Sequence, residues 1–453
     1  MESNAEFLNL DISIQRNFKR ITPLLMKAFS ILITFVSLPI ILNNIGSYKF
    51  GIYATLLSVL AILGLLDLGV SNGSIGKISQ LLHQQNKMQA SKVITSLYLI
   101  TLLQMLISVV LGSALFFGFT NLDPTLLVGN NENEWNQIVG VALFFNAVSL
   151  FVSLPQKILL ALSDTNKSNV VNLSSVIASS LGALVGSFFE KPILMILIIG
   201  MSLQFLLGIV VYINLHLTLK EKKLIVTFPE LLTLKSTLFL GKSYFILQGL
   251  VIICSQLPTI LIFHVLNPVE VSLYFTCYKM LSLPIGFTLV LFQPLWPSIA
   301  GKIALGDYED ARTLHNSKMK IATIIAGASL IWNIMLGGKL ISFWTSGKIE
   351  PNFAFLAVLG LNVSVLILLQ PILFTLNGLN KVKILIIWTS ASMIFSTCSI
   401  VFLSNLLGVV GTVISMLVSN ILIQLIPYYI SVKKQLEKNP LEKNIRDHGV
   451  LDA

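Results

Sequence analysis

Lys279 is the side chain whose type and position point most directly to chemistry. It lies inside the apolar stretch 272–303, SLYFTCYKMLSLPIGFTLVLFQPLWPSIAGKI, which exceeds the roughly 20 residues needed to cross a bilayer. A lysine at membrane depth costs at least about 2.5–3.5 kcal/mol on insertion scales, so it normally faces a protein interior or a wet cavity. The nine residues from Glu270 to Lys279 span about 14 Å of helix, too deep for easy snorkelling to the surface. As a function, this position suits a cationic contact for an anionic ligand, because an ammonium is a compact point charge that holds an anion in many orientations. The alternative is an ion pair or a carbonyl-bound lysine that only fixes helix packing.

Further candidates surround it in the sequence. Lys27 falls in the first turns of the first apolar run, where it either draws in an anionic headgroup or snorkels to anionic lipid. Asp67 lies about 25 Å along the second run from Phe50. It is a protonation or cation-coupling group, a partner of Lys27 across the lobe, or a cap or brace at the helix end beside Gly69 and Gly73. His264 and Glu270 flank one mouth of a span pair, as a titratable couple or as an ordinary loop pair. Tyr274 and Tyr278 stand one turn apart beside Lys279 and offer faces for stacking on rings, or form part of an interfacial aromatic belt. The intramembrane amides Gln104, Asn146, Gln248, Gln256, Asn362, Gln370 and Asn377 suit hydroxyl ligands or interhelical bonds. Gln248 and Gln256 are favoured as ligand contacts, since they share a face of the neighbouring span. Cys254, Cys277 and Cys398 lie in apolar runs without metal spacing and read as small fillers. There is no phosphate-binding Gly-rich loop, metal cluster or nucleophile triad in the sequence, so ATP hydrolysis and enzyme chemistry are not expected.

The elements that must position these residues are membrane helices. The chain is 55% hydrophobic and 11% charged, with mean hydropathy +0.85, which the surface of a water-soluble protein of 453 residues cannot accommodate. Twelve apolar spans are expected near 23–43, 50–72, 93–119, 137–162, 170–189, 193–218, 243–264, 271–297, 319–340, 353–377, 384–404 and 408–431. Their length and lack of strict alternation identify helices rather than barrel strands. The first 22 residues are polar, and the run after them is too long for a signal-peptide core, so no cleaved leader is expected.

The net charge of +10 is explained by topology rather than by nucleic acid. With the N-terminus inside, 25 of the 30 Lys and Arg residues fall in inner segments. Only Lys49, Lys191, Lys339 and Lys348 fall outside, and Lys279 lies within a span. That bias implies both termini in the cytoplasm. Tyr53 and Thr55 recur as Tyr274 and Thr276 at an offset of 221, SIGKIS (74–79) resembles SIAGKIA (298–304), and Leu38-Pro39 matches Leu257-Pro258 at an offset of 219. The ordered matches predict two halves repeated in parallel about an axis along the membrane normal. The expected domains are a cytoplasmic segment 1–22, a six-helix lobe 23–218, a cytoplasmic linker 219–242, a second six-helix lobe 243–431 and a cytoplasmic tail 432–453.

The stretches Asn-Asn-Ile-Gly-Ser-Tyr-Lys-Phe-Gly-Ile-Tyr (43–53) and Leu-Leu-Asp-Leu-Gly-Val-Ser-Asn-Gly (65–73), with Gln293-Pro-Leu-Trp-Pro-Ser298 and Gly306-Asp-Tyr in the second half, carry a resemblance. The chain resembles the O-antigen and polysaccharide repeat-unit flippases of the multidrug/oligosaccharidyl-lipid/polysaccharide exporter superfamily. The resemblance implies an all-α polytopic protein with two six-helix lobes in a V around a central cavity. It also implies alternating access, coupled to H+ or Na+, that carries a polyprenyl-pyrophosphate-linked oligosaccharide from the cytoplasmic to the outer leaflet of the bacterial inner membrane. Lys279 and Lys27 would then meet the pyrophosphate, with membrane lipids as surroundings and glycan polymerase and chain-length machinery as partners. A multidrug or organic-cation antiporter of the same superfamily is the alternative, although that reading wants carboxylates in the first lobe. A membrane-embedded polymerase would want a large arginine-rich outer loop, and the outer segments here are short and poor in basic residues.

Overall fold

The computed structural model describes residues 2–67, 74, 77–82, 84–120, 132–162, 165–222, 224 and 242–437, with the side chains of Lys27 and Asp67 outside that description. Among the described residues every regular element is helical. Continuous apolar runs allow nothing else in lipid, where each backbone N–H and C=O must be satisfied within its own segment.

The elements of the first half are α1 (Glu2–Leu63), a 3₁₀ turn (Gly64–Asp67), α2 (Lys87–Thr120), α3 (Glu132–Ala161), α4 (Thr165–Gly186) and α5 (Pro192–Glu221). The second half has α6 (Lys242–Val265), α7 (Pro268–Leu281), α8 (Leu283–Phe292), α9 (Leu295–Ala304), α10 (Tyr308–Met335) and α11 (Gly337–Trp344). It ends with α12 (Phe353–Gly378), α13 (Val382–Leu407), α14 (Val409–Ser419), a π-helical turn (Asn420–Leu425) and α15 (Ile426–Leu436).

As far as their residues are described, the expected spans fall on these helices, with 68–72 of the second lying outside the described residues, but they are joined and broken differently. By length and composition, nine helices among the described residues suffice to cross a membrane, and ten if α10 and α11, bent by 61°, form one span. The expected span 23–43 and residues 50–63 of the next run together as α1, divided only at Gly46, whose φ of 78° and ψ of 162° are non-helical. That region is open almost only to glycine, and the sequence places a glycine at the break. The expected span 170–189 is represented by a shorter apolar helix, Leu173–Gly186. The expected continuous span 271–297 is a correction: the chain divides there into α7, α8 and α9. Pro284 and Pro294 supply the cause, since a proline has no N–H and its ring opposes the carbonyl four residues earlier.

The chain divides into two compact units, Met1–Lys49 with Leu63–Phe245, and Phe50–Ile62 with Ile246–Ala453. In the first unit, Ile78 and Leu81 pack with Val93, Ile94 and Leu97 of α2, Leu154 and Ile158 of α3, and Leu215 and Leu219 of α5. In the second, Leu295 and Ile299 of α9 pack with Ile372 and Leu376 of α12, Leu385 of α13, and Tyr428 and Val432 of α15. Ile78 of the SIGKIS stretch and Ile299 of the SIAGKIA stretch are each buried in the core of their own unit. α12 is the inner helix of the second unit, with 56% of its apolar window buried against 22% for α13. The outer helices carry exposed apolar side chains such as Ile394, Phe402 and Leu406 of α13, the surface a lipid-solvated protein presents.

The segment Phe50–Ile62 belongs to the second unit because it lies against α7. A Cβ added to Gly51 would stand 1.8 Å from the carbonyl oxygen of Pro268, so only glycine admits this approach. Phe50, 1% exposed, meets Phe275 edge-on with ring centroids 6.0 Å apart.

Candidate functional site

The site is assembled on α7. Asn267 starts the helix: its side chain accepts from the backbone N–H of Val269 at 2.9 Å and of Glu270 at 3.1 Å. Pro268 follows at the first helical position, where a missing N–H costs nothing. The helix ends at Leu281, because Pro284 cannot donate to the carbonyl of Met280. Lys279 thus occupies the last turn, where the carbonyl end of the helix favours a cation.

The two faces of α7 have different duties. Tyr274, Cys277 and Leu281 are buried on one face. There the Tyr274 and Tyr278 rings stack at 5.7 Å and 18°, and the Tyr274 hydroxyl lies 3.5 Å from Met416 Sδ of α14. Lys279 is on the other face and is exposed. Its ammonium stands 5.3 Å from the ring centroid of Phe275, one turn earlier. Phe275 is braced by Phe50, which meets Tyr53 at 6.3 Å, so an aromatic row supports the charge from below. Among the described residues no carboxylate pairs with Lys279. A face-bound ammonium of this kind keeps its three N–H donors available to an anion.

The remaining sequence candidates are placed as follows. Tyr278 is half-buried, and Tyr274 is only 2% exposed, with one ring face occupied by its stacking partner. Gln248 is exposed on α6, while Gln256 is half-buried and donates to Ser255 Oγ at 3.2 Å. His264 is exposed in the last turn of α6 with its ring edge-on to Phe263, centroids 5.7 Å apart. Glu270 is half-buried, and its Oε2 has no hydrogen-bond partner among the described residues. The backbone of Lys27 is helical and that of Asp67 closes the 3₁₀ turn, while both side chains lie outside the described residues.

Two of the other amides serve packing: Asn146 accepts from Ser108 at 3.2 Å, and Asn362 from the Asn420 amide at 2.8 Å. Sequence reasoning missed Phe275 as the support of Lys279. The four-residue spacing Phe275–Lys279, one helical turn, was the available signal.

No protein-family model and no curated protein sequence matches the chain. Its fold is similar to several solved structures. One is the lipid II flippase MurJ in an inward closed conformation, with TM-score 0.67 and 14% identity over 94% of this chain and 91% of that one. Another is an inward-facing multidrug resistance MATE family transporter of the MOP superfamily, with TM-score 0.64 and 15% identity over 90% and 96%. A third is a MOP superfamily transporter from Pyrococcus furiosus, with TM-score 0.52 and 15% identity over 92% and 94%. The chain is an all-α, multi-pass membrane protein with the fold of the MOP-superfamily transporters.

Proposed function

We propose that this chain is a flippase that moves polyprenyl-pyrophosphate-linked oligosaccharide repeat units, of O-antigen or capsular type, from the cytoplasmic to the outer leaflet of a bacterial inner membrane. Transport proceeds by alternating access coupled to H+ or Na+, with both chain termini in the cytoplasm. Lys279 is the observation that carries this reading: a full positive charge on the exposed face of a helix in an apolar stretch, resting on Phe275 and free of carboxylate partners among the described residues. Such a cation attracts a pyrophosphate and repels an organic cation. The structural likeness to a lipid II flippase supports a lipid-linked substrate. Glycan polymerase and chain-length machinery are the partners this role calls for.

A multidrug or organic-cation antiporter is the second reading, favoured by the likeness to the MATE family transporter. The sign of the charge in the transport path separates the two. For the Pyrococcus furiosus transporter, reverse polarity of the binding pocket was itself taken to suggest a different function. The test is reconstitution into proteoliposomes, with movement of a fluorescent pyrophosphate-linked oligosaccharide and proton-driven exchange of an organic cation assayed side by side. Movement of the anionic lipid without cation exchange is the expected result. Cation exchange alone would replace the flippase reading with the antiporter reading.

A further inference from the structure

His315 lies in the early turns of α10 and is 3% exposed. Its Nδ1 is 2.8 Å from Thr375 Oγ1 of α12. Thr375 Oγ1 in turn donates to the carbonyl of Pro371 at 2.8 Å. A hydroxyl has one hydrogen to give, and with that hydrogen committed to Pro371 the Thr375 oxygen accepts from His315. Nδ1 therefore carries the imidazole proton, and Nε2 is the bare acceptor. Nε2 is buried and has no hydrogen-bond partner among the described residues.

The setting gives a second proton nowhere to go. Thr375 sits between Ile372 and Leu376 of the second unit's core, and Ala311 is one turn from His315 on the same face of α10. α8 and α12 contribute no ionisable side chain to this region. On α10, Arg312 and Lys318 flank His315 by one turn, and Arg312 is paired with Glu437 at 3.6 Å. Lys302 of α9 binds Asp310 at 2.6 Å, and Asp307 caps α10 by accepting from the backbone N–H of Asp310. On α15, Tyr428 donates to the carbonyl of Leu385, and Lys433 and Lys434 are exposed. Asp310 and Glu437 are thus each taken by a cation.

We propose that Nε2 of His315 is a proton-binding site of the second unit, and that filling it requires the seam between α10 and α12 to rearrange. One proton is taken from water, the imidazole becomes an imidazolium, and no other bond changes. In the packing described here that proton would create a buried N–H without an acceptor, so proton uptake and the closed seam exclude each other. Acid therefore favours an opened arrangement of α10 against α12, whatever the transported substrate.

The test is magic-angle-spinning NMR of 15N-histidine-labelled protein in nanodiscs, paired with amide hydrogen exchange, from about pH 8 to about pH 4. The expected result at high pH is a neutral Nδ1–H histidine whose signal is missing in His315→Gln. On acidification that signal converts to the doubly protonated form, while exchange in α10 and α12 rises at least about tenfold, a change absent from His315→Gln. An Nε2–H tautomer, an imidazole neutral down to about pH 4, or protonation with unchanged exchange overturns the proposal. Should His315→Gln fold poorly, Thr375→Val keeps the imidazole and deletes its acceptor. The Nδ1–H preference is then lost, and an unchanged spectrum contradicts the assignment.

Discussion

Lys279 was legible in the sequence as a charge within an apolar stretch, although the span that is long and apolar enough to cross a membrane here, Leu283–Ala304, begins just after it. What holds it was less legible. Phe275 lies one turn away and could be paired with it by spacing, but Phe50, which braces Phe275, lies more than two hundred positions earlier and is brought there by tertiary packing. The same limit applies to His315, whose partner Thr375 is 60 residues away on another helix. Phe275→Leu removes the ring beneath the ammonium and leaves the charge, a change of about 0.5–1 kcal/mol. A two- to fivefold slower transport rate is expected, read as initial flipping rate in proteoliposomes. An unchanged rate would show that the ring does not position the lysine.

At the scale of the element, the existence of helices was readable throughout and their breaks were not. Apolar length marks a span, whereas joining or dividing spans depends on single residues such as Gly46, Pro284 and Pro294. Gly46 adopts φ 78° and ψ 162°. Gly46→Ala is therefore expected to destabilise the protein by about 1–3 kcal/mol, seen as a lower melting temperature in detergent. Gly51→Leu tests the approach of Phe50–Ile62 to α7. With Pro268 carbonyl oxygen 1.8 Å from the added Cβ, the two segments must part, at a cost of about 1–3 kcal/mol or more. The expected signature is raised hydrogen exchange in α7, and native protection would refute the contact.

A third element-level case is the last helix. Tyr428, fully buried, donates to the carbonyl of Leu385 at 3.0 Å and lies 2.8 Å from Thr389 Oγ1, tying α15 to α13. Tyr428→Phe should cost about 0.6–1.7 kcal/mol, the range for hydrogen bonds between membrane helices. Thermal unfolding checks it, and a neutral substitution would mean that the hydroxyl finds equal partners in the unfolded state.

For the whole molecule, the short repeated stretches SIGKIS and SIAGKIA each contribute a buried isoleucine, Ile78 and Ile299, to the core of their own unit. The grouping of Phe50–Ile62 with the second unit was hidden, since it rests on a glycine meeting a carbonyl rather than on any periodic pattern. The charge bias, 25 basic residues on one set of segments against Lys49, Lys191, Lys339 and Lys348 on the other, predicts both termini inside. In a chain freed of its three native cysteines, Lys348→Cys should then react with an impermeant thiol reagent added outside cells, and Lys381→Cys should not. The reverse pattern would invert the topology.

The positive charge at Lys279 is central to the proposed transport of an anionic lipid. Its most direct test is the flipping rate of a pyrophosphate-linked oligosaccharide by the native chain, Lys279→Arg and Lys279→Gln, each verified as folded by melting temperature. A hydrogen bond to a charged group is worth about 1.5–3 kcal/mol, so Gln should lose about tenfold to a hundredfold while Arg retains most of the rate. Equal rates for Gln and the native chain would contradict a role for this charge in moving the anionic lipid.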